Sequence, residues 1–267
     1  MPDDPSLSLR KSILKPVLFL FASFTFVFCL GEAVHEFGHF LAHRAYGYDA
    51  GVILDPFGGS RTLGSASPRA IWGITSAAGP LFNLLLASIV FSLLWSRRRP
   101  AVFPFLLWGP VAMIQEGVTF SLGNLTPGGD AVLIVEWGVP FAVVLGFGIF
   151  LLITGIAVLG WLLPLVNLSP QDSIGRKFAV VAGGMVSFML LRWVHAAIVS
   201  PGLSQENLVP LIFSLLLAVI VVLLNRPLQS ILQRIADVRT GAVEWANVAV
   251  AAVSAAGVVL FQLLTFN

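Results

Sequence analysis

Residues 17–44 read VLFLFASFTFVFCLGEAVHEFGHFLAHR, an apolar run that ends in a cluster of ionisable side chains. The apolar part belongs to a segment long enough to cross the roughly 30 Å hydrocarbon core of a bilayer as a helix. Two glutamates, three histidines and an arginine follow, where a membrane helix would normally carry apolar residues. Ionisable groups inside a membrane are costly and usually functional, so this stretch predicts both the fold class and the place of the site.

The rest of the chain has the composition of a membrane protein. Of its 267 residues, 57% are hydrophobic and only 10% are charged, and a soluble domain of this composition could not cover its apolar surface. Further apolar stretches have spanning length, so we predict an all-α polytopic membrane protein with about six to seven transmembrane helices in a lipid bilayer. The net charge of +2 gives no indication of a nucleic-acid partner. Nothing in the composition indicates an oligomeric state.

The pattern of polar and apolar residues divides the chain into three parts. Residues 1–15 predict an N-terminal tail, residues 16–138 a membrane core, and residues 139–267 additional transmembrane helices. After the first helix, Gly, Pro and Ser residues around the run Val52–Leu54 predict a small β-hairpin that turns at Pro56–Gly59. Apolar residues at helical spacing near 227–243 predict an amphipathic helix on the membrane surface, with a solvated connecting helix as the alternative.

Basic residues indicate the orientation of the chain in the membrane. With the N-terminus inside, most lysines and arginines fall on the inner side and only Arg44, Arg61 and Arg69 fall outside. The positive-inside rule therefore predicts a cytoplasmic N-terminus, provided that residues 123–138 make no full crossing. The first apolar segment lacks a small-residue cleavage site, so we expect an uncleaved signal anchor in an integral, multi-pass protein of the cell membrane.

The motif HEFGH carries the chemistry of the ionisable cluster. His35 and His39 lie on one face of a helix, about 6 Å apart along its axis. Two imidazoles so placed can hold one Zn²⁺, while Glu36 beside them can take a proton from water. The competing interpretation is a buried polar cluster that serves helix packing. His43, about 12 Å along the axis from His35, is too far away to share that ion, and we expect it near the membrane surface.

A catalytic zinc site needs a third protein ligand. Asp130 is the best candidate, because the Gly-rich bend in NLTPGGD, residues 124–130, could return it to the first helix. Glu116 and Glu136 are its rivals. His195 stands beside Arg192 in an apolar segment, a pattern more typical of a helix contact.

Two other polar residues stand in apolar surroundings. Asn83 lies in AAGPLFNLLLA, residues 77–87, whose small residues allow helices to approach closely. An interhelical hydrogen bond is one role for its side chain. Glu32 lies one helical turn before Glu36, where it could orient a metal ligand or pair with an arginine or with water.

Three motifs in this order resemble the site-2 protease family of intramembrane zinc metalloproteases, peptidase M50. They are HEFGH at 35–39, AGPLFN at 78–83 and NLTPGGD at 124–130, and the resemblance covers roughly residues 17–137. The loop at 50–64 resembles the family's β-element, whose edge strand could hold an extended substrate. The chain departs from the family in reading Gly-Asp-Ala at 129–131, where Leu-Asp-Gly is usual. Family members also commonly face the cytosol with their zinc site, whereas the charge count places the end of the first helix outside.

The resemblance implies a function and a role for each residue. We expect an intramembrane zinc metalloprotease that cleaves a transmembrane protein substrate, with Zn²⁺ as cofactor. The resemblance assigns zinc binding to His35, His39 and Asp130, the general base to Glu36, and contact with the substrate to Asn83.

Two other functions compete with proteolysis. A catalytically inactive membrane scaffold could keep the fold, but it would have no evident use for Glu36. A transporter could line a polar path with Arg192, His195, Glu116 and Glu136, but the sequence shows no inverted repeat.

Overall fold

The computed structural model of the chain describes residues 5–56, 60–64, 68–123, 129–169, 171–199, 204–232 and 242–265. In these residues the regular structure consists of α-helices, short 3-10 helices and one two-stranded sheet. The helices are α1 (Pro5–Ala45), α2 (Trp72–Leu94), α3 (Phe103–Ser121), α4 (Asp130–Trp137), α5 (Phe141–Leu162), α6 (Ile174–Val199), α7 (Ser204–Leu232) and α8 (Trp245–Thr265). The strands are β1 (Ala50–Ile53) and β2 (Arg61–Gly64).

Six helical segments of the described chain are long and apolar enough to cross a membrane. They are Ile13–Ala45, Arg69–Arg97, Pro100–Ser121, Phe141–Val166, Ile174–His195 and Trp245–Leu264. A shorter apolar stretch, Leu211–Asn225, lies in α7. Large apolar side chains such as Leu93 and Leu264 lie on the outside of the bundle, 72% and 81% exposed, as lipid contact allows. The chain is therefore a multi-pass membrane protein, and the predicted all-α polytopic fold is confirmed.

The predicted hairpin after the first helix is also confirmed. Strands β1 and β2 pair antiparallel, with Val52 opposite Thr62 and Ile53 opposite Arg61. Residues 57–59, where the turn was predicted, lie outside the described residues. Both strands pack against α1, so the hairpin lies beside the helix that carries HEFGH.

Helix α1 is the central element of the bundle. It packs against α2, α3, α6 and α8, and its residues Phe19 and Phe24 are buried in the main apolar core together with Leu106 of α3. The predicted tail at 1–15 is wrong for residues 5–15, because α1 begins at Pro5 and contains Pro16. Pro16 lies in a segment long and apolar enough to span a membrane, and membrane helices tolerate proline because their neighbours and local adjustments satisfy the freed backbone group.

Helix α4 was not expected as a helix. Its eight residues span about 12 Å, which is too short to cross a bilayer. The assumption behind the charge count, that this region makes no full crossing, therefore holds for residues 129–138. Gly138 ends the helix at a φ of 123°, a conformation that favours glycine. A glycine at this position is the sequence signal that could have indicated the end of α4.

The predicted surface helix near 227–243 lies only partly within the described residues. Residues 227–232 continue α7, and residues 233–241 lie outside the described residues. The amphipathic helix on the membrane surface therefore stays a prediction.

Candidate metal centre

Side chains from α1 and α4 converge on one point. The Nε2 atom of His35 lies 3.0 Å from Nε2 of His39 and 3.2 Å from Oδ2 of Asp130, and His39 Nε2 lies 3.4 Å from the same oxygen. In a tetrahedral zinc site with Zn–N bonds of about 2.0–2.1 Å, ligand atoms lie about 3.3 Å from one another. The three atoms thus have the spacing that one zinc ion requires.

Both imidazoles are oriented through their other ring nitrogen. His35 Nδ1 lies 3.1 Å from Oε1 of Glu116, and His39 Nδ1 lies 2.7 Å from the backbone carbonyl oxygen of Thr75. A carboxylate and a carbonyl accept hydrogen bonds, so each Nδ1 is assigned the proton and each Nε2 keeps its lone pair. This outer shell of acceptors is typical of metal-binding histidines. Three lone-pair atoms so close together repel one another unless a cation or a proton is shared among them.

Asp130 reaches the histidines as the first residue of α4. Burial acts to raise the pKa of its carboxyl, but when a proton is shared with Nε2 of His35 and His39, their hydrogen bonds and charge outweigh that effect and hold the pKa well below its usual range. The rival glutamates are placed elsewhere. Glu116 lies behind His35, on the ring nitrogen that faces away from Asp130, and Glu136 is exposed on α4. Asp130 is therefore the carboxylate that the fold brings to the two histidines.

Glu36 is held by a residue of the hairpin. The hydroxyl group of Thr62 lies 2.8 Å from Oε2 of Glu36 and 2.9 Å from its backbone carbonyl oxygen. Thr62 therefore limits the rotation of the carboxylate beside the two histidines. Thr62 could not be predicted from the sequence, because the pattern of a four-residue strand does not reveal which side chains face a neighbouring helix.

Two cavities adjoin the converging side chains of His35, His39 and Asp130, which we name the ligand triangle. The larger, which we name the site cleft, has a volume of about 400 Å³. It is lined by the three converging residues and by Glu36, His43, Arg61, Thr62, Trp72, Thr75, Ser76, Gly129 and Leu133. A smaller cavity of about 200 Å³ shares His35, Glu36 and Asp130 with it and is otherwise lined by Glu32, Ser60, Gln115 and Thr119. The polar side chains in both walls can bind water.

Asn83 is buried behind the site. It is 0% exposed, its Nδ2 donates to Oε1 of Glu116 at 2.6 Å, and its Oδ1 accepts from Trp108 Nε1 at 3.0 Å. These bonds connect α2 to α3 and support the carboxylate that orients His35. The structure shows an interhelical hydrogen bond here and places Asn83 in neither cavity wall, so substrate contact by Asn83 stays a prediction.

Close helix crossing brings α2 to the face of α1 that carries His35 and His39. A Cβ atom on Gly79 would lie 2.4 Å from His39 Nε2, and one on Gly38 would lie 2.6 Å from the carbonyl oxygen of Ala78. The small residues of AGPLFN therefore permit an approach that larger ones would prevent. This approach also brings the carbonyl of Thr75 to His39.

Glu32 pairs with an arginine from the second half of the chain. Arg192 Nη1 lies 2.7 Å from Oε1 of Glu32, and the side chains are only 12% and 16% exposed. Of the roles open to Glu32, the structure shows the ion pair. It joins α1 to α6, one helical turn from Glu36. His195, also on α6, lies outside the group of converging ligands.

Breaking this ion pair is expected to destabilise the bundle. Arg192→Met leaves the mostly buried Glu32 carboxylate without its partner, which costs about 3 kcal/mol in the free energy of unfolding. Glu32→Gln combined with Arg192→Met should recover much of that loss. Denaturation of the purified protein in detergent measures both, and equal losses in the single and the double variant would contradict the expectation.

Comparison with known proteins gives no relative. The chain matches no family model, no characterised protein and no solved structure. Its function must therefore be inferred from its own fold and side chains.

Proposed function

We propose that the protein is an intramembrane zinc metalloprotease that hydrolyses peptide bonds of membrane-protein substrates within or near the bilayer. The observation that supports this most is the convergence of His35, His39 and Asp130 in a cleft that also holds Glu36. The proposal includes membership of the site-2 protease family and residence in the cell membrane.

The side chains divide the work of hydrolysis. A bound Zn²⁺ would polarise both a water molecule and the scissile carbonyl. Glu36, held by Thr62, takes a proton from the attacking water and passes it to the leaving amine nitrogen. Glu116 and the carbonyl of Thr75 keep the two imidazoles in the orientation that binds metal. Because peptide groups in a transmembrane helix are hydrogen-bonded within the helix, the substrate must unwind locally before cleavage.

The alternatives have less support. A transporter would need its polar residues spread along a path, whereas Arg192 pairs with Glu32 and Glu116 orients His35 at the one site. A scaffold would not need the Glu36 carboxylate to be held beside the ligand triangle. The distinction between scaffold and enzyme rests on Glu36 and is tested by the Gln variant discussed below.

Zinc content tests the metal centre. We expect about one zinc ion per wild-type chain after purification in detergent, and a loss of affinity greater than the roughly 100-fold limit for outer-shell changes in both His39→Ala and Asp130→Ala. Glu136→Ala is the matched control, because it removes an exposed carboxylate from the same helix as Asp130 and should keep the zinc.

Two outcomes would contradict this expectation. Full zinc content in Asp130→Ala would move the third ligand elsewhere. A wild-type chain that takes up no zinc even after reconstitution would overturn the metalloprotease proposal.

A further inference from the structure

Arg61 lies in the wall of the site cleft at a position fixed by its neighbour. Thr62, the next residue along β2, is hydrogen-bonded to two oxygens of Glu36 at 2.8 and 2.9 Å. Consecutive Cα atoms are about 3.8 Å apart, so the backbone of Arg61 lies close to the same carboxylate. Arg61 is exposed and lines the cleft, so its guanidinium group is open to a substrate that enters there.

The charge of Arg61 is uncompensated among the described residues. Other arginines of this region have partners: Arg44 pairs with Asp49 at 2.9 Å, and Arg69 donates to the carbonyl oxygen of Glu136 at 3.3 Å. The side chain of Arg61 has neither an ion-pair nor a hydrogen-bond partner within the described parts of the chain. The stretches 57–59 and 65–67, which flank β2 in the sequence and lie outside that description, contain no acidic residue.

His43, which also lines the cleft, has a ring nitrogen without a partner among the described residues. The Nδ1 atom of His43 is buried and has no hydrogen-bond partner in the described structure, although His43 lines the cleft with Arg61. An arginine is always protonated and presents a planar fork of N–H donors. The ligand that fits such a fork best is a carboxylate, which can accept two parallel hydrogen bonds from it.

We propose that Arg61 selects substrates that place a carboxylate beside the scissile peptide bond. This inference rests on the proposed function and assigns a specificity-determining residue to the same site. The carboxylate has two sources, an aspartate or glutamate side chain of the substrate or the free C-terminus of a peptide. An internal acidic residue would direct cleavage within a chain, whereas a C-terminal carboxylate would direct it near the end.

Binding of peptide hydroxamates separates these possibilities. Four probes carry the same zinc-chelating hydroxamate and the same short apolar peptide. They differ in one residue, Asp or Asn, and in the C-terminus, acid or amide. Their affinities are measured by competition against a fluorescent hydroxamate on the zinc-loaded protein in detergent. We expect the wild type to bind a carboxylate-bearing probe about fivefold more tightly than the probe with Asn and an amide.

The variants show whether Arg61 causes that preference. In Arg61→Gln the ratio should fall to about one, and in Arg61→Lys part of it should return, because the charge is kept while the planar fork is lost. Arg44→Gln is the matched control, since Arg44 is paired with Asp49 and lies outside the cleft wall, and it should keep the wild-type ratio. Equal zinc content in all four proteins shows that the site is intact.

Each result has a definite meaning. Equal affinity of the wild type for all four probes, or a preference that persists in Arg61→Gln, would overturn the role of Arg61 and leave the proposed function standing. No binding of any probe to the zinc-loaded protein would instead count against a peptide-hydrolysing site. A preference for Asp alone identifies an internal acidic residue, and a preference for the acid C-terminus alone identifies a chain end.

Discussion

Gly79→Ala is expected to remove zinc binding, although residue 79 offers no side chain to the site. The added methyl carbon would lie 2.4 Å from Nε2 and 2.6 Å from Cε1 of His39, closer than such atoms approach in real structures. Either the imidazole must leave its place or α2 must move away from α1. Moving α2 would also withdraw the carbonyl of Thr75 from His39 Nδ1, now 2.7 Å away. Both responses displace a ligand, so zinc affinity should fall by more than about 100-fold.

Zinc content and circular dichroism together measure this effect. The expected result is a helical protein of normal size that has lost its metal. Gly257→Ala is the matched control, because a Cβ atom at that position of α8 would meet nothing within 4 Å. It should keep its zinc and gain slightly in stability, since alanine favours helix more than glycine does. Wild-type zinc content in Gly79→Ala would show that the helix crossing is looser than described.

Glu36→Gln is expected to abolish hydrolysis while leaving the metal in place. Glutamine keeps the shape of the side chain and can still accept a hydrogen bond from Thr62, but it cannot take a proton from water. General acid–base catalysis contributes roughly 10²–10⁴-fold, so the rate should fall by at least that range. Cleavage of a mixed library of membrane-protein peptides, followed by mass spectrometry, compares the variant with the wild type without a known substrate.

The same comparison separates an enzyme from a scaffold. Cleavage by the wild type that disappears in Glu36→Gln, at unchanged zinc content, supports the protease. If both proteins hold zinc and neither cleaves, the inactive scaffold becomes the better explanation. Cleavage that survives the substitution would assign the general base to another residue.

Sequence patterns predicted the helices and the residues that converge at the candidate metal centre, because the helices and the histidine pair depend on local spacing. Residues four apart share a helix face, so HEFGH was sufficient to place His35 beside His39. Selecting Asp130 over two glutamates needed only a chain bend that a Gly-rich segment permits. The short helix α4 escaped prediction because eight residues carry too little periodicity.

The supporting residues could not be predicted in the same way. Thr62, Thr75 and Trp108 act through contacts between elements distant in sequence, and their positions are decided by how α1, α2, α3 and the hairpin pack. The helical start of α1 before Pro16 was also missed, because proline usually ends a helix in water but is tolerated in membrane helices. Local patterns thus identify candidate metal ligands more readily than the surrounding residues that orient them.

The hydrogen-bond acceptors that orient His35 and His39 differ in how easily a mutation removes them. His35 relies on the side chain of Glu116, so a single codon change at position 116 can remove its acceptor. His39 relies on a backbone oxygen of α2, which every amino acid at position 75 supplies. Substitutions at position 75 keep the acceptor as long as the helix and its crossing persist, whereas at position 116 most substitutions, though not Gln, remove it. Among proteins related to this one, we expect the residue type to vary more at position 75 than at position 116.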